Sequence, residues 1–124
     1  MIHLDTNFLI GLSQHSFLED GLLRRWLGER RPLGTSSVAW AEFLCGPLQP
    51  GAALKVRSLL GDPVPFTADD AARAAELFNA TWRRRGSLND CMIAAVALRA
   101  EASLATRDVD DFARFATFGL RMAD

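Results

Sequence analysis

No run of this chain is apolar for long enough to cross a bilayer. The N-terminus carries no basic segment before it reaches a charged turn at Asp5. We therefore expect no membrane span, no signal peptide and a cytoplasmic location. Cysteine is scarce: Cys45 and Cys91 are the only two, with no CxxC or Cys/His spacing, which argues against a zinc site. Both lie in apolar stretches that read as helix, so we expect small buried side chains in a reducing compartment, with a disulfide between them the lesser alternative. Histidine is equally rare. His3 lies on the first strand and His15 in a loop, and neither is expected to act as a general base. There is no basic excess either: 14 Lys and Arg face 15 Asp and Glu, a net charge of -1. Such a chain has no overall field for nucleic acid, and a partner of that kind needs a local patch. Lys55 is the only lysine. The remaining positive charge is arginine, which suits bidentate phosphate contacts and is equally explained by codon usage.

What is present is an ordinary globular composition, 49% hydrophobic and 23% charged over 124 residues, enough for one domain spanning 1–124 with its own core. The rhythm is strand, helix, strand, helix, which argues for an α/β fold with about five parallel strands flanked by helices. Strands are expected at Ile2–Leu4, Leu33–Ser36, Val64–Phe66 and Ser103–Ala105, with a short fifth at Thr117–Arg121. Helices are expected at Asn7–Ser13, Gly21–Arg30, Val38–Cys45, Gly51–Leu60, from Thr67 to near Gly86, at Leu88–Ala100 and at Val109–Phe115. Ser16-Phe17-Leu18-Glu19 and Thr67-Ala68-Asp69-Asp70 read as capping boxes. Trp26, Trp40 and Trp82 are expected in the core.

Four acids recur where strands end or helices follow. Asp5 closes the first apolar strand, at the carboxyl edge where open α/β sheets bind ligands. It could equally cap the next helix. Glu42 shares a helix face with Val38 and Cys45, so its charge needs a metal or an arginine. Asp90 could complete a capping box with Ser87, and Asp108 could cap the last helix, with Asp110 and Asp111 crowding the same turn. Parallel strands share one carboxyl edge, so the four should converge. Carboxylates packed together repel unless cations neutralise them, and hard divalent cations take oxygen ligands.

Leu4-Asp5-Thr6-Asn7, the segment Ser36 to Gly46, Asn89-Asp90-Cys91-Met92-Ile93-Ala94-Ala95 and the segment Ala105 to Phe112 together carry a resemblance to the PIN-domain nucleases, and within them to the VapC-type toxins of bacterial toxin–antitoxin pairs. The ordered set spans nearly the whole chain. Asn89 departs from the less polar residue usual there. The resemblance implies an acidic pocket for Mg²⁺ or Mn²⁺ built from Asp5, Glu42 and Asp90, with Asp108 as the fourth acid or Asp111 sharing its role, and Thr6 and Thr106 as polar neighbours. It implies hydrolysis of RNA, a blocking antitoxin protein and a homodimer. One cation would activate a water, and a second would stabilise the leaving oxygen.

Arg83, Arg84, Arg85 and Arg107 are candidates for phosphate contacts, although Arg83 to Arg85 also suit a solvated helix C-terminus. A response-regulator receiver fails for want of a second acid beside Asp5 and of a late lysine. A DxD phosphatase fails at Asn7. A PIN-fold binding module without hydrolysis is the surviving alternative.

Overall fold

Ile2, His3 and Leu4 are all but completely buried. A strand so covered on both faces belongs in the middle of a parallel sheet, and β1 (Ile2–Leu4) is the central strand of three. β2 (Leu33–Gly34) and β3 (Ser103–Ala105) pair with it in parallel, in the order β2-β1-β3. The structure, a computed structural model, describes residues 1–15, 17–83 and 87–124. Around the sheet lie α1 (Thr6–Ser13), α2 (Phe17–Gly28), α3 (Ser37–Leu44), α4 (Ala52–Leu60), α5 (Ala68–Ala80), α6 (Leu88–Arg99) and α7 (Val109–Ala113). Among the described residues no helix is long and apolar enough to cross a membrane.

The α/β class is as expected, but among the described residues the sheet has three strands and not about five. Val64 makes only a single bridge to Ser36, through Val64 N–H to Thr35 O and Ser37 N–H to Val64 O, each 2.8 Å. Pro63 and Pro65 flank it, and a proline cannot donate to a ladder. The expected strand at Thr117–Arg121 is also absent. Ala116–Phe118 is a 3₁₀ turn, Gly119 is left-handed at φ 100°, and the chain rejoins the sheet only at Met122, in one bridge to Leu104.

α2 starts at Phe17, four residues before the expected Gly21. Glu19 and Asp20 in its first turn complement the helix dipole; the capping residue expected there, Ser16, lies outside the described residues. α5 begins with the expected capping box of Thr67 and Asp70 but stops at Ala80, well short of Gly86. Trp82 and Arg83 then adopt left-handed backbone, φ 70° and 48°. Trp82 is consequently 94% exposed and not in the core. Trp26 is buried, stacks on Phe8 at 5.5 Å and donates its indole N–H to Asp124 O at 3.0 Å, tying the C-terminus to α2. Cys45, expected to be buried, is exposed just beyond α3, while Cys91 is buried, and both are free.

α6 is the buried spine, with Cys91, Ile93, Ala94, Ala95, Val96 and Ala97 all inaccessible. Its small side chains let α5 lie close alongside. His3 is buried with neither ring nitrogen hydrogen-bonded. Burial drives its pKa down to about 4, so it is neutral at pH 7 and packs as an apolar ring.

Candidate active site at the carboxyl edge of the sheet

The register of β1 and β3 builds the site. Leu4 pairs with Ala105, so the next residues, Asp5 and Thr106, leave the sheet side by side. Asp5 N–H donates to Ala105 O at 3.0 Å. Asp5 then caps α1, one carboxylate oxygen accepting from Phe8 N–H at 3.0 Å. The other accepts from the Thr106 hydroxyl at 2.5 Å. Capping and membership of an acidic cluster are therefore compatible, one oxygen for each. The Thr106 hydroxyl oxygen also accepts from Asp108 N–H at 2.9 Å, so one threonine fixes both Asp5 and the turn that carries Asp108.

Asp5 is only 3% exposed. Burial pushes its pKa up to about 6; the hydrogen bonds from Thr106 and Phe8 oppose the rise, and the charges of Asp108 and Asp90 add to it. Asp90, in the first turn of α6, is also raised, first by burial; Arg114 opposes the shift, and Asp111, Glu42 and Asp108 add to it. The expected acids thus feel one another's charge. Asp108 bears on both Asp5 and Asp90, Asp111 on Asp90.

Glu42 projects from α3. One of its oxygens accepts from the Thr6 hydroxyl at 2.9 Å and the other from the Asn89 amide at 3.1 Å. The arginine partner considered for Glu42 is replaced by these two neutral donors. Asn89, the departure from the family pattern, links Glu42 to the helix of Asp90. The capping alternatives for Asp90 and Asp108 do not hold: Ser87 makes no side-chain capping bond to α6, and Asp108 makes none to α7. Asp108 instead accepts from the Asn7 side-chain amide.

Three side chains have roles here that the sequence did not indicate. Asn7 holds Asp108. Arg114 sets a guanidinium nitrogen 3.7 Å from the Asp90 carboxylate. Glu19 is wholly buried, 2.9 Å from Arg107 Nε. It occupies the space left by Gly11, where a Cβ would stand 2.7 Å from its carboxyl carbon. A glycine between the buried Leu9 and Leu12 was the one local sign that a side chain from elsewhere fills that space. Arg107, expected to contact phosphate, is engaged with Glu19 and so ties α2 to the Asp108 turn. Arg83 is exposed beyond the end of α5, while Arg84 and Arg85 lie outside the described residues.

Among the described residues no three His, Cys, Asp or Glu side chains form a ready-made metal cage. The donor chemistry nevertheless fits a hard cation. Every acid of the set offers oxygen, and Mg²⁺ characteristically keeps several waters and binds through one or two carboxylates. The raised pKa of Asp5 goes with a buried carboxyl group that no cationic side chain among the described residues closes.

A family model for the PIN domain matches residues 2–117. Among solved structures, a toxin–antitoxin complex from Klebsiella pneumoniae is 26% identical, with a TM-score of 0.73 over 91% of this chain and 91% of that one. VapBC2 from Rickettsia felis, bound to a promoter DNA fragment, is 22% identical with a TM-score of 0.77, covering 99% and 98% of the two chains. VapBC-1 from nontypeable Haemophilus influenzae gives 21%, 0.77, 100% and 98%. The last two speak to fold alone. The comparison with curated protein sequences found no match.

Proposed function

The chain belongs to the PIN domain family, and on that premise we propose that it is a metal-dependent endoribonuclease, the toxin of a toxin–antitoxin pair. The observation that supports the reading is a buried Asp5, hydrogen-bonded to Thr106 and Phe8 N–H, which the charges of Asp108 and Asp90 reach, while Glu42 and Asp108 bear on Asp90. In this proposal Asp5 and Asp90 are the principal holders of Mg²⁺ or Mn²⁺, with Asp108 and Glu42 completing the oxygen set, directly or through water. The bound cation would supply an activated water and neutralise charge at the phosphodiester.

The chain's own residues do the rest. Thr106 and the Phe8 N–H orient the Asp5 carboxylate, Thr6 and Asn89 orient Glu42, and Asn7 orients Asp108. Such outer hydrogen bonds hold ligating groups in a productive geometry. Arg83, with Arg84 and Arg85, is the candidate basic patch for RNA phosphates. The partner is a cognate antitoxin; the Klebsiella relative, itself a toxin–antitoxin complex, supports that assignment. A homodimer in the cytoplasm completes the proposal. A PIN-fold module that binds without hydrolysis is the second reading. It gives no reason for Asp5 to bury a carboxylate with neutral hydrogen-bond donors and neighbouring acids, since that arrangement costs stability unless a cation relieves it.

The test is cleavage of a mixed, structured RNA pool with Mg²⁺ or Mn²⁺, with EDTA, and with Asp5→Asn. We expect cutting that requires metal and falls at least about a hundredfold in the variant, the scale of a lost catalytic interaction. Metal-independent cutting, or full activity of Asp5→Asn, would remove the proposal. Failure both to cut and to bind Mn²⁺ would leave the binding module.

A further inference from the structure

Arg114 is set differently from Arg99, the arginine that closes Asp70. It follows α7 directly, and its side chain is only 17% exposed. Its Nη1 donates to Asp111 O at 2.6 Å, and the guanidinium lies over the Phe115 ring at 4.4 Å. Its Nε and Nη2 are buried with no short hydrogen bond, the Cys91 thiol being their sulfur neighbour, and Nη2 stops 3.7 Å from Asp90 Oδ2, beyond hydrogen-bond reach. Buried N–H groups are rarely left so. A guanidinium that served only to close an ion pair would meet its carboxylate through two short bonds, as Arg99 meets Asp70 at 2.8 and 3.0 Å. Arg114 is held instead by the Asp111 carbonyl and the Phe115 face, near Asp90 but not on it.

We propose that Arg114 is the resident counter-ion of the acidic site. It offsets the negative charge around Asp90 in the metal-free protein while leaving the Asp90 oxygens open to a divalent cation. The inference rests on the metal reading of the site above. Its consequence has a definite sign. A fixed positive charge beside Asp90 stabilises the metal-free cluster and repels an arriving cation. Arg114 therefore sets the metal affinity low, and its removal tightens binding. A residue needed only for packing would weaken binding or leave it unchanged when removed.

The experiment is calorimetric titration of Mn²⁺ into the wild type, Arg114→Met and Arg114→Lys at pH 8, with a thermal melt of each metal-free protein. Arg114→Met is expected to bind Mn²⁺ roughly tenfold more tightly and to melt lower without metal, while Arg114→Lys stays near the wild type in affinity. Arg114→Gln, which keeps a donor for the Asp111 carbonyl, replaces Arg114→Met if that variant does not fold. Equal or weaker binding by the neutral variant, with normal binding by the wild type, overturns the counter-ion role alone. Absence of Mn²⁺ binding in all three overturns the metal reading and this inference with it.

Discussion

Two aspartates in this molecule are equally inaccessible, Asp5 at 3% and Asp70 at 2% exposed, and their chemistry is opposite. Asp70 opens α5. Burial alone would raise its pKa, but the Arg99 guanidinium at 2.8 and 3.0 Å and the Thr67 N–H at 2.9 Å outweigh that and hold it below the usual range. Arg99 goes on to Pro65 O at 2.8 Å, so the pair fastens α6 to the segment that enters α5. Asp5 has an amide, a hydroxyl and other acids around it, and its pKa goes up. Both carboxylates cap helices. Burial and capping therefore do not separate a structural acid from a functional one. The sign of the charge beside it separates these two: Asp70 is closed by arginine within the protein, and Asp5 is left among carboxylates, which on the proposed function a cation from outside would complete.

Breaking the closed pair should give the larger effect. Asp70→Asn removes the charge facing the part-exposed Arg99 and weakens the capping box, and should cost about 2 to 3 kcal/mol of stability. Urea unfolding measures it, and Mn²⁺ affinity should not change. A loss well under about 1 kcal/mol would show that the pair is as inconsequential as an exposed one.

The same substitution at Asp5 should do the reverse. The folded pKa of Asp5 lies above its unfolded value, 3.8 rising to about 6. Its contribution to stability is therefore present at low pH and is lost as pH rises through about 6. A shift of about two units corresponds to roughly 3 kcal/mol. Asparagine makes weaker hydrogen bonds, so metal-free Asp5→Asn should be more stable than the wild type by about 2 kcal/mol at pH 7. The gain should vanish near pH 4, grow up to about pH 6 and then level. Paired unfolding curves across that range test it, and a variant less stable than the wild type at pH 7 would contradict it.

The residues that could be read in advance share a property: their neighbours in sequence determine where they sit. Asp5 directly follows a buried strand, Asp108 stands three residues beyond another, and parallel pairing brings the two together. The apolar run of α6 marks itself as buried and carries Asp90 at its start. What escaped depends on distant parts of the chain. Val64 and Met122 reach the sheet for one bridge each, too short to leave a pattern. Trp82 looks like a core residue until the chain turns left-handed there and throws it into solvent. Glu19 resembles a first-turn helix acid, and only the space beside Gly11 and the approach of Arg107 show that it is buried. Arg114 is one of many arginines in sequence, and only the packing of α7 against α6 brings it to Asp90.

The most direct measurement is a carboxyl ¹³C NMR titration of Asp5 and Asp70 in the same sample, with and without Mg²⁺. Asp70 should titrate below the usual carboxylate range and be indifferent to Mg²⁺. Asp5 should titrate near 6 without metal and move down when Mg²⁺ is added, as a cation favours the ionised form. An Asp5 that titrates like Asp70, or one that does not respond to Mg²⁺, would contradict the claim that this buried charge is completed from outside the chain.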